Sequence, residues 1–125
     1  GGPAGPAKGS FVQHEWEHTV PLFTRAMSMA GSTLFIAGPP DKIDEEYAFE
    51  RMSQKDPAIF QELAEQDEAL LGKRGGKFQA VNTKDGKVSS DFELSSPPVW
   101  DGMAVAQGRL FVATVDGKIT CYGRK

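Results

Sequence analysis

The chain has 125 residues, of which 39% are hydrophobic and 25% charged, and a formal charge of −3; this is the composition of a folded globular chain, not a disordered one. The slightly acidic balance gives no electrostatic reason to expect DNA, RNA or an acidic membrane as partner, and no apolar run approaches the roughly 20 residues that span a bilayer. Cys121 is the only cysteine, which excludes an internal disulfide and a cysteine metal cluster.

Residues 1–10 carry four glycines and two prolines and no apolar h-region, so they predict a linker or an internal cut through a longer chain, not a secretory signal. Residues 1–20 are assigned to this linker with a candidate edge strand at its end, formed by the segment 11–20. The run His14-Glu15-Trp16-Glu17-His18 satisfies H-E-x-x-H. On a helix its imidazoles share a face and bind zinc, with Glu15 as general base; a third ligand would come from Glu45, Glu46 or Glu50. Pro21 closes the stretch before a second helical turn forms, so the favoured expectation is a strand with His14, Trp16 and His18 on one face.

From residue 21 the sequence repeats. Met27, Ala30, Leu34, Phe35 and Ala37 recur as Met103, Ala106, Leu110, Phe111 and Ala113, Ile36 recurs as Val112, and Pro21 as Pro97, all at an offset of 76. Gly76-Lys77 recurs as Gly117-Lys118 at an offset of 41, so 76 less 41 leaves 35 residues inserted in the first unit. The underlying unit of 41 residues falls within the roughly 40–50 of a four-stranded propeller blade. Residues 27–37, 78–94 and 103–122 are predicted as antiparallel strands. Gly31-Ser32, Asp85-Gly86, Gln107-Gly108 and Asp116-Gly117 supply the hairpin breaks. The apolar runs 34–37 and 110–113 lack alternation and predict strands covered on both faces.

The insertion, at about 40–75, changes period. Asp41 is a candidate cap for a first helix through Ile43, Tyr47 and Met52. Asp56-Pro57 marks the start of a second, with Ile59, Phe60, Leu63, Leu70 and Leu71 as its packed stripe and Gly72 as its stop. Glu62, Glu65 and Glu68 fall on its solvated side. Residues 72–76, glycine-rich and basic with Lys73, Arg74 and Lys77 nearby, read as a helix exit, because the strand and the Gly-Lys-Ser/Thr of a phosphate loop are missing. Cys121 reads as a small buried strand residue and Trp100 as an aromatic cap on the core.

The stretches 80–87 and 108–122 resemble pyrroloquinoline-quinone-like (PQQ-like) propeller repeats, and the run from Ala37 to Asp41 resembles the point where bacterial proteins with this repeat insert helical material. The resemblance covers residues 21–125, with Asn82 where the family has aspartate and Ser90 where its docking tryptophan lies. It implies a mainly β fold of antiparallel strands forming about two propeller-type blades with an α-helical insertion, the C-terminal portion of a bacterial, extracytoplasmic protein. Its enzymatic members gather quinone and calcium ligands from many blades, and no such set is matched here. The sequence therefore assigns no catalytic, cofactor-binding or metal residues. It leads to a non-catalytic binding or scaffold module whose partners are the remaining blades of a parent propeller or another protein. The alternatives are part of a quinone-dependent dehydrogenase, or a small zinc hydrolase using His14 and His18.

Overall fold

A computed structural model describes residues 12–41 and 45–123. The chain is mainly β, with two antiparallel sheets and two helices. Strands β1 (Ala26–Ala30), β2 (Thr33–Gly38), β3 (Gly76–Asn82) and β4 (Val88–Leu94) pair in sequence order; β5 (Pro98–Ala106), β6 (Arg109–Thr114) and β7 (Ile119–Tyr122) form a second sheet, also in sequence order. Helices α1 (Glu45–Ser53) and α2 (Ala58–Leu70) lie between β2 and β3. Among the described residues the two sheets close into neither a barrel nor a propeller.

The sequence repeat reappears as an identity of pairing. In the first sheet Met27 pairs with Ile36 and Met29 with Leu34; in the second Met103 pairs with Val112 and Val105 with Leu110. Phe35 pairs with Ala80 and Ile36 with Gln79, and their counterparts Phe111 and Val112 pair with Cys121 and Thr120. The offsets of 76 and 41 thus map one sheet's register onto the other's. The inserted residues leave the pairing untouched because β2 and β3 meet as a hairpin whether a helical pair or the Asp116-Gly117 turn joins them. The turns differ only in detail. Gly31 leads its two-residue loop at φ +57°, and Gln107 and Gly108 both have positive φ, at +53° and +73°, matching the II′ and I′ turns whose twist suits a hairpin.

The sheets stack front to back. The first contributes Ala26, Ala37, Phe78, Ala80 and Leu94 to the main core, with Phe35 beside them; the second contributes Met103, Leu110 and Val112, with Val105 and Tyr122. In repeat terms the first sheet offers its 35/37 face and the second the face corresponding to 34/36. The first sheet's own 34/36 face forms a separate cluster in which Leu22, Trp16 and Val20 cover Leu34, Ile36 and Val81. Run 34–37 is therefore covered on both faces. Run 110–113 is not: Phe111 and Ala113 face outward and stay half-buried.

The insertion forms as a helical pair, with corrections in detail. Pro57 is helical (φ −67°, ψ −23°) and the Asp56 carboxylate accepts from the Ala58 N–H at 3.0 Å, the expected cap and first-turn proline. At the far end Lys73 N–H donates to Glu68 O at 2.9 Å and Gly72 N–H to Ala69 O at 3.0 Å, with Gly72 at φ +92°. This is the 6→1 and 5→2 pair of a Schellman stop, which glycine enters without a Cβ penalty. The expected stripe fails, because the buried face is Ile59, Gln66 and Ala69 while Phe60, Leu70 and Leu71 are exposed. Polar bonds set the roll of the helix. Gln66 donates to Pro40 O at 3.0 Å, and Arg51 bridges Asp56 at 2.8 Å and Glu62 at 2.6 Å. Helix α1 is described from Glu45, and the Asp41 N–H donates to Pro21 O at 2.9 Å; the expected cap at Asp41 turns on residues 42–44, which lie outside the described residues. Ile43 and Phe11 lie outside the described residues.

Candidate functional site

Among the described residues the first sheet has four strands and the second three. Phe78 on β3 stacks on Phe92 of β4 with centroids 4.4 Å apart, and Tyr122 of β7 lies 5.5 Å from Phe92 and 6.2 Å from Phe78. Phe35 completes the wall at 5.8 Å from Phe78. These rings bound a cleft of about 590 Å³. Ser89 and Ser90 enter from β4, and Arg109 stands where the Gln107-Gly108 turn feeds β6. A second cleft of about 100 Å³ continues past Tyr122, between Thr120 and Lys118 on one side and Glu93 and Leu94 on the other. The larger cleft lies between the sheets, with Ala30 and Thr33 on one side and Val105, Gly108 and Leu110 on the other, and the smaller one borders β7.

The larger cleft offers aromatic surface, the hydroxyls of Thr33, Ser89, Ser90 and Tyr122, and the Arg109 guanidinium. Among the described residues no histidine, cysteine or carboxylate lines the larger cleft. What it can do chemically is bind: a concave, mostly apolar site with a few polar groups is the usual form of a recognition site.

The residues singled out by motif lie elsewhere. The stretch 12–20 is neither helix nor strand, which corrects the candidate edge strand. Trp16 Nε1–H donates to Thr83 O at 2.7 Å and its ring packs on Gly86, so the segment is held by side chains against the sheet face and not by a strand ladder. His14 is exposed, and His18 Nε2 lies 3.3 Å from Gln79 Oε1. The helix that H-E-x-x-H requires is not formed. Among the described residues no three His, Cys, Asp or Glu side chains gather as a metal site.

Cys121 is exposed, contrary to the buried residue expected, because it sits on the outer face of β7. Trp100 is 72% exposed with the Arg25 guanidinium 5.6 Å from its ring, so it caps no core. The Arg25 head also donates to Leu70 O at 2.7 Å, which ties the end of α2 to β1. No described helix is long and apolar enough to cross a membrane.

The cleft has no motif in the sequence to announce it, because it is made by the stacking of two sheets and not by residues close in the chain. No protein-family model matches the chain, and neither a curated protein nor a solved structure is significantly similar to it.

Proposed function

We propose that the chain is a non-catalytic binding or scaffold module of a larger bacterial propeller-type repeat protein, and that it works by stacking sheet on sheet. The observation carrying this reading is an asymmetry between equivalent positions. Phe78 is 2% exposed, and its counterpart Ile119 is 76% exposed. Phe35, Ala37, Phe78 and Ala80 take the second sheet onto their face; the matching face of the second sheet, Phe111, Ala113, Ile119 and Cys121, carries nothing among the described residues. Front-to-back contacts propagate, since each unit that docks presents a fresh copy of the docking face. A further unit docked on Ile119 and Phe111 would bury them as Phe78 and Phe35 are buried. The PQQ-like resemblance of residues 80–87 and 108–122 supports blades as the docking units.

The test is sedimentation velocity of the isolated chain across a range of concentrations. The bare face should drive self-association, and Ile119→Lys should weaken it at least tenfold while leaving the far-UV circular dichroism unchanged. A chain that stays monomeric throughout, with and without the substitution, overturns the proposal.

A further inference from the structure

Residues 12–22 lie as a strap on the first sheet, and they carry a second inference, which rests on the stacking reading above and adds the face that receives the stack. We infer that the strap masks a docking face, and that the partner this face fits is a second copy of the chain, presenting Phe111, Ala113, Ile119 and Cys121.

The pairing registers say what the masked face is. Directly opposed residues share a face, so Met27, Met29, Leu34, Ile36, Gln79 and Val81 line one side of the first sheet. At the offsets of 76 and 41 their counterparts are Met103, Val105, Leu110, Val112, Thr120 and Tyr122, which share one side of the second sheet. That side is seated on Phe35, Ala37, Phe78 and Ala80 of the first sheet. The repeat equivalents of those four are Phe111, Ala113, Ile119 and Cys121. The chain thus contains one copy of the contact and, on its two outer sides, the two halves of another.

The strap fills only part of its half. Trp16, Val20 and Leu22 cover Leu34, Ile36 and Val81, and His18 Nε2 lies 3.3 Å from Gln79 Oε1. Met27 and Met29 stay 57% and 60% exposed, although Met103 is 9% exposed. Methionine adapts its shape to an apolar partner, so this pair is a foothold beside the strap. The strap is also fastened unevenly. At its base backbone bonds hold it, Phe23 N–H to Pro39 O and Asp41 N–H to Pro21 O, both at 2.9 Å. Farther out the anchor is a side chain, Trp16, with its 2.7 Å bond to Thr83 O. An incoming copy would replace the apolar cover given by Trp16 and Val20 and bury Met27 and Met29 as well. Such a head-to-tail contact propagates beyond a dimer, whereas two bare faces pairing symmetrically would stop at one.

Sedimentation velocity of the full chain over a concentration series tests this. Trp16→Ala, which frees the strap, should tighten self-association at least tenfold, and Met27→Lys should weaken it at least tenfold. The Met27→Lys and Ile119→Lys chains should each be monomeric alone and form a one-to-one dimer when mixed, because each keeps the half the other has lost. A mixed pair that does not dimerise overturns the inference, as does a folded Trp16→Ala chain that associates no more tightly than the unaltered one. Association weakened by Ile119→Lys but indifferent to Met27→Lys also overturns it and leaves the stacking reading standing. Association indifferent to Ile119→Lys defeats that reading and this inference with it. Should Trp16→Ala fail to fold, Trp16→Phe, which keeps a ring and loses the bond to Thr83, must tighten association in its place.

Discussion

Front-to-back stacking makes two residues at the same place in the repeat energetically unequal, and the pair Phe78 and Ile119 measures the difference. Phe78 is buried among Phe35, Phe92 and Tyr122, with its stacked partner 4.4 Å away. Truncating a buried phenylalanine to alanine costs about 3–5 kcal/mol in transfer and cavity terms. Ile119 lies on β7 at 76% exposure, where truncation is expected to stay within about 0.5 kcal/mol. With a urea dependence of about 2 kcal/mol per molar, Phe78→Ala should lower the unfolding midpoint by about 1.5–2.5 M and Ile119→Ala by about 0.3 M or less. Because a loss of that size approaches the whole stability of a small domain, Phe78→Leu serves as the milder member of the series, at about 1.5 kcal/mol or less. Trp16 fluorescence reports the first sheet, since its ring packs on Gly86 and its N–H bonds Thr83 O, while far-UV circular dichroism reports both sheets. Equal losses at the two positions would refute the stacking order, and so would a Phe78→Ala midpoint within the surface range.

Replacing residues 41–73 by a short Gly/Ser bridge should remove the helical signal and keep the β signal, because Gly38 and Lys77 are already cross-strand partners; a wholly unfolded product would make the insertion part of the core. The Asp56 carboxyl is held below the ordinary aspartate range, first by the hydrogen bond from Arg51 and then by the Ala58 N–H. A depressed folded pKa contributes stability that is present above the unfolded value and lost as pH falls through the folded one. Helical ellipticity in α1 and α2 should therefore decline on the acid side of the usual aspartate range, and Asp56→Asn should flatten that limb; an unchanged acid profile in the variant would show that the Arg51 pair does not hold the helices together.

The β architecture was legible because its signals are local and redundant. Turn residues such as Asp85-Gly86 and Gln107-Gly108 state their own backbone geometry, and the two offsets, of 76 and 41, encode registers that the sheets reproduce pair by pair. Helix ends were legible for the same reason: Asp56, Pro57 and Gly72 act through bonds within a few residues. The roll of α2 was not. Phe60 and Leu63 match Ile59 in apolarity, yet the helix turns Gln66 and Ala69 inward, because the Gln66 bond to Pro40 O and the Arg51 bridge to Glu62 outweigh a stripe that has little sheet to cover.

Burial at the second sheet was illegible for a deeper reason. Cys121 and Ile119 occupy strand positions whose counterparts, Ala80 and Phe78, lie in the core, and composition at those positions is apolar in both units. Whether such a position is buried depends on whether another sheet stacks upon it, which is a property of stacking order and not of the strand. The outward residues of β7 thus match in composition the face of β3 whose Phe78 and Ala80 the second sheet buries, with nothing over them among the described residues. A strand evolved to face water alternates polar with apolar residues. β7 alternates with the opposite sense, Ile119 and Cys121 outward and Thr120 and Tyr122 inward, so that both of its hydroxyls lie on the side of the smaller cleft. Its polar groups are therefore turned toward the cleft and its apolar groups toward bulk water. A further unit docked on Ile119 and Cys121, as proposed above, would take that apolar surface out of water.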